Sequence, residues 1–218
     1  MATINVVDES GTLASSINSI RLALQVFSDQ VTDAWGLPRN GLVTLGVRNA
    51  ALWNVCFVNQ FPNPAMQKTA YGYHEIVNGE PIAYIRVDSF GKRNPLGFCL
   101  KPLIVKGIKI TPGILTPGIA SVAMHELAEM IVDPQVNRYA TDPLNRNWIM
   151  EVCDHTVGKY AITIPNANVV APDFTLPSFY DINGKAPYSH LNVPSKPFTL
   201  VSGGYGYFKD SMGIMHKL

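Results

Sequence analysis

The chain has 218 residues, 47% hydrophobic and 15% charged, with a formal net charge of +1. That composition belongs to a globular chain with a sizeable core and excludes a disordered one; the near-zero charge excludes a global field for nucleic acid or an anionic membrane. Three cysteines, Cys56, Cys99 and Cys153, with no C-x-x-C pair, exclude a disulfide framework and a cysteine-only zinc site.

The N-terminus carries acids and no basic-then-apolar block, so no signal peptide is expected. No apolar run approaches the roughly 20 residues of a membrane helix, and the expected compartment is a cytoplasm or a particle assembled in one. "TINVV" reads as a strand. The next stretch, "SSINSIRLALQVFSDQVTDAWG", spaces Ile17, Ile20, Leu24, Phe27 and Val31 as a helix does, and ends at Gly36 and Pro38. "GLVTLGV" and "LWNVCFVNQF" read as strands. "YGYHEIVNGEPIAYIRVD" reads as a hairpin about Asn78-Gly79, and "LIVKGIKI" as another strand.

A second helix follows, with Thr116 as expected N-cap, Pro117 as first helical residue and Asp133-Pro134 as its end. Beyond about residue 160 the chain is rich in Pro and Asn, which predicts extended, loop-rich structure packed on what precedes it. "TLVSGGYGYFKD" reads as a late strand, and its glycines lack the lysine and following helix of a phosphate loop. The order of elements predicts an α+β fold in a single domain, 1–218, with a first lobe at 1–140 and an extended C-terminal region at 141–218.

The second helix holds "HELAEMIVDP". At about 100° per residue, His125, Glu129 and Asp133 fall on one line, with Glu126 beside it. Met124, Leu127, Ala128, Met130, Ile131 and Val132 cover most of the remaining circumference, so the helix should be largely buried. An imidazole and carboxylates crowded on a buried stripe lose solvation and repel one another, and a divalent cation resolves that conflict. His125 and Glu129, one turn apart, can point at one ion, and Glu126 then sits beside it as general base. The competing reading is an ordinary helix whose stripe faces solvent.

A third ligand is expected in "NWIMEVCDH", from Glu151 or Asp154; Asp133 is a further option, and Cys153 and His155 are chemically able to bind zinc. The bland reading of that stretch is a turn with solvated acids. His74, His190 and His216 stand apart and are expected in surface or hydrogen-bonding roles. Cys56 and Cys99 lie in strand-like apolar runs and read as core.

Two resemblances attach to these residues. "HELAE" and the order of elements resemble the zincin metallopeptidases, which implies a zincin-like first lobe of helix, small mixed sheet and active-site helix. It also implies a third ligand from a lower lobe, and "PIAYIRVD" (81–88) as the edge strand that aligns an extended peptide. Glu129 departs from H-E-x-x-H. Zinc accepts a carboxylate, but a second anionic ligand lowers Lewis acidity and also suits calcium or manganese. The longer pattern "HELAEMIVDP … NWIMEVCD … VVAPDFTLPSFYD … PYSHLN … PFTLVSGGYGYF" is similar to a family of tailed-bacteriophage and prophage proteins. That resemblance implies a phage context, in a host cytoplasm or an assembled virion, and brings no activity with it.

Three functions follow as expectations. The first is a zinc-dependent metallopeptidase acting on a peptide or protein. The second is a structural virion component of head, neck or tail, packed among other virion subunits, that keeps a structural or vestigial metal site. The third is a binding module using "AYIRVD" and "FTLPSFY". Neither nucleic acid nor membrane is expected as a partner.

Overall fold

A computed structural model describes residues 2–88, 95–97, 103–105, 108–110, 117–164 and 169–218. In chain order these form β1 (Ile4–Asp8), α1 (Ile17–Ala34), β2 (Thr44–Leu45), β3 (Trp53–Val58), β4 (Gly72–Val77), β5 (Glu80–Arg86), β6 (Leu103–Val105), β7 (Ile108–Ile110) and α2 (Ile119–Val132). The C-terminal region follows with β8 (Tyr139–Thr141), β9 (Asn147–Ile149), β10 (Tyr160–Ile164), β11 (Val169–Pro172), β12 (Tyr207–Lys209) and β13 (Met215–Lys217). The fold is α+β. No described helix is long and apolar enough to cross a membrane.

The main sheet has the order β2-β1-β3-β5-β4. β1 runs parallel to β2 and β3, and β3 runs parallel to β5. Only β4 is antiparallel, hydrogen-bonded to β5 through the Asn78-Gly79 turn, where both residues have positive φ. The hairpin is as expected, but its edge is not. β5, which holds most of "PIAYIRVD", lies inside the sheet between β3 and β4, and the outer strand is β4. The reason is burial. Pro81–Ile85 are covered on both faces, as an interior strand requires, whereas in β4 only Tyr73 is buried.

One face of the sheet packs Ile4, Val6, Val55, Phe57, Ala83 and Ile85 against α1 and α2 in the main core. The opposite face gathers Val7, Cys56, Tyr73, Ile82 and Tyr84 over the 59–70 connection, with Phe61 edge-on to Tyr73. Cys56 is therefore core, as expected. Thr116 and Cys99 lie outside the described residues.

Every residue of α2 except Val122 and His125 is buried. The N-cap is Gly118, so the helix begins at Ile119 and not at Pro117 as expected; the Gly118 N–H donates to Ser121 Oγ at 3.1 Å. The Ser121 hydroxyl in turn donates to the carbonyl of Val170, tying α2 to β11. The helix stops at Val132. Asp133 has non-helical backbone angles, φ −129° and ψ 68°, so its side chain leaves the line of His125 and Glu129. Its two oxygens accept the N–H groups of Asn137 and Arg138, each at 2.9 Å. Asp133 closes the turn after α2 and takes no part in the site below.

The C-terminal region contributes a four-stranded antiparallel sheet, β13-β12-β9-β8, and the β10–β11 pair. Val169, Ala171 and Phe174 enter the same core as α1 and α2. The loop after β9 runs through Glu151 into a 3-10 turn at Asp154–Thr156. The glycines of "SGGYGY" press on that turn. A Cβ on Gly204 would stand 2.3 Å from the His155 carbonyl, so only glycine permits the approach.

Candidate metal centre

Three elements converge on one cavity of about 720 Å³: the stripe of α2, the outer strand β4 and the 151–154 loop. His125 Nε2 lies between two carboxylates, 3.2 Å from Glu129 Oε1 and 3.0 Å from Asp154 Oδ1. Ligating atoms of His125, Glu129 and Cys153 lie within 4.8 Å of one another. The Cys153 N–H donates to Glu129 Oε1 at 3.3 Å, which fixes that carboxylate against the loop.

The second side of the stripe faces β4. His74 Nδ1 is 3.3 Å from Glu126 Oε2 and 3.7 Å from Glu129 Oε2. The His74 side chain is only 6% exposed. It reaches α2 because Gly72, two residues earlier on the same face of the strand, lets the backbone come close. A Cβ on Gly72 would meet Val122 Cγ1 at 2.7 Å and Glu126 Oε1 at 2.9 Å.

Electrostatics follow from this crowding. Burial alone would depress the His74 imidazole; its hydrogen bond to Glu126 and the charges of Glu151, Glu129 and Glu126 outweigh that and raise it to about 9. Burial acts the same way on His125, and the charge of Glu129 with the contacts to Asp154 and Glu129 raises it well above the ordinary range. Burial and the charge of Glu129 push Glu151 well up, towards its neutral form, with His74 opposing. Burial raises the Cys153 thiol. Tyr205 lines the same cavity, and burial with its hydrogen bond to Asp154 raises its phenol, keeping it a neutral donor.

Of the residues expected from the sequence, His125, Glu126, Glu129 and Asp154 come together, and Cys153 joins them. Glu151 lines the cavity and couples to Glu129, His74 and Asp154 through charge. His155 stays out of the site: its Nδ1 meets the Tyr180 hydroxyl at 3.0 Å and its ring stacks on Phe179 at 5.0 Å. His190 stacks on Phe174, and His216 pairs with Asp210 at the surface. His74 does hydrogen-bond, as expected of it, but its partner is the site itself. The local signal was a Gly-x-His spacing on one face of a hairpin arm. The phenol of Tyr205 had no such signal.

The donor set suits a divalent cation. Buried polar atoms should be paired, yet Asp154 Oδ1 is buried and receives no aligned hydrogen bond, in spite of its 3.0 Å approach to His125. His74 Nε2 is likewise buried without a partner. Oxygen and imidazole donors held 3.0–3.7 Å apart have the spacing of ligands around a common ion at about 2.0–2.2 Å. Comparison with family models, with curated proteins and with solved structures returned no match.

Proposed function

We propose that the protein is a metal-dependent hydrolase of zincin-like architecture that acts on peptides. One observation carries the reading. His125, Glu129 and the donors of the 153–154 loop meet at a cavity that also presents Glu126 and the outer strand β4. The sheet order, with β4 the one antiparallel strand of five, supports the zincin-like assignment. The aligning edge in this reading is β4 in place of residues 81–88.

His125, Glu129 and Cys153 would hold the cation, with Asp154 against His125; zinc suits the nitrogen and sulfur donors, and manganese or calcium the carboxylates. When bound, such an ion supplies a Lewis acid that acidifies water and polarises a carbonyl. Glu126, at the cavity wall, accepts a proton from the attacking water and returns it to the leaving amine. Tyr205 offers a neutral hydrogen-bond donor to developing negative charge. An extended peptide pairs with the free side of β4, whose outer neighbour is absent among the described residues. Given the resemblance to tailed-phage proteins, the substrate classes to try are phage assembly proteins and host surface peptides.

The test is cleavage of a broad peptide library by metal-loaded protein. Turnover that disappears with a chelator, returns with zinc and is lost in Glu126→Gln, with the His125 ion retained, supports the hydrolase. A second reading, a structural staple in a virion, draws on the fact that the donors come from both α2 and the C-terminal region. Protein whose melting temperature falls on chelation, but which cleaves nothing, favours the staple.

A further inference from the structure

We infer that the cavity holds a second divalent cation, on His74 Nδ1, Glu126 Oε2 and Glu129 Oε2, with Glu129 bridging it to the first. The inference rests on the metal-dependent reading above and deepens it. Glu129 divides its oxygens: Oε1 turns to His125 and Oε2 to His74. The His74, Glu126 and Glu129 donors lie within 4.8 Å of one another, as the His125 group does. His74 comes from a different element, has a side chain only 6% exposed, and is brought to α2 by Gly72.

Local charge favours the second position. Lys159 and Lys217 line the wider cavity, but the groups against His74 are anionic: Glu126 and Glu129 are buried within 3.3 and 3.7 Å of it, and Glu151 acts on it through charge. Uncompensated charge at such burial is costly. Two cations bridged by a carboxylate, about 3.5–4 Å apart in known two-metal sites, clamp both the attacking and the leaving atoms of a hydrolysis. In that state Glu126 is a ligand as well as a cavity-wall carboxylate, so its replacement lowers cation content along with turnover. The competing account of these contacts is an imidazole–carboxylate ion pair alone.

The experiment is cation stoichiometry on the full chain, stripped with chelator, loaded separately with Zn²⁺ and Mn²⁺, and freed of excess ion. About two ions per chain are expected, falling to about one in His74→Gln and in Glu126→Gln. About one in the wild type overturns the second site and leaves the proposed function standing; none overturns both. Two ions unchanged in His74→Gln place the second elsewhere and also overturn the inference. If the variants do not fold, electron paramagnetic resonance of the Mn²⁺-loaded wild type decides. An exchange-coupled pair supports the bridge, and two isolated Mn²⁺ signals refute it.

Discussion

The Glu129 carboxylate and the His74 imidazole meet across the junction of α2 and β4, Oε2 to Nδ1 at 3.7 Å. Glu129 is the residue by which "HELAE" departs from H-E-x-x-H, and this contact gives the departure a physical meaning. A histidine there presents one nitrogen to one side. A carboxylate presents two oxygens, and here they serve two imidazoles on different elements.

Glu129→His therefore separates the two halves of the centre. It restores the paired histidines at i and i+4. The variant is expected to keep the cation on the His125 side and lose the one on the His74 side, so stoichiometry falls by about half. Metal analysis after gel filtration checks this, and undiminished content would show that Glu129 bridges nothing.

Gly72→Ala tests how closely β4 must approach α2. The added methyl meets Val122 Cγ1 at 2.7 Å and Glu126 Oε1 at 2.9 Å, so strand, helix or both must shift. Overpacking of this kind costs about 1–3 kcal/mol. Urea unfolding should show that loss, together with weaker cation binding on the His74 side. A variant as stable as the wild type with unchanged binding would mean the contact relaxes freely.

The parts of this fold that were legible in the sequence are those where local pattern and burial agree. α1 ends at Ala34, and Gly36, with positive φ, sits in the turn just beyond it. The Asn78-Gly79 hairpin and the buried α2 are equally local. The edge strand was not legible, because "PIAYI" is apolar enough for either place and only pairing with β3 settles it. Asp133 was drawn to the site by i, i+8 arithmetic that assumed a longer helix. His74 lies 51 residues before His125; only the sheet topology brings its ring to α2.

Asp133 and Asp154 make a paired test of that arithmetic. Asp133→Ala strips the acceptors from two backbone N–H groups, at a cost of about 1–3 kcal/mol. It should leave cation content unchanged. Asp154→Asn removes the negative charge facing His125 and should weaken cation binding more than it weakens the fold. Calorimetric titration of the ion alongside denaturant unfolding distinguishes the two, and a reversal of the pattern would return Asp133 to the site.

His155 predicts an acid sensitivity of known sign. Burial among Trp148, Phe179 and Tyr180 pushes its imidazole down to about 4, with Asp154 opposing, against an ordinary value of 6.5. The unfolded chain thus binds a proton that the folded chain resists. The stability held by the neutral ring is complete above pH 6.5 and is lost as pH falls from 6.5 towards 4, by about 3 kcal/mol at most. His155→Gln keeps a neutral polar group near the Tyr180 hydroxyl and removes the titration. The stability difference, wild type minus variant, should then be flat from pH 7 to 8 and shrink by up to one proton's slope between pH 6 and 4.5. A difference independent of pH across that window would show that His155 titrates alike in both states.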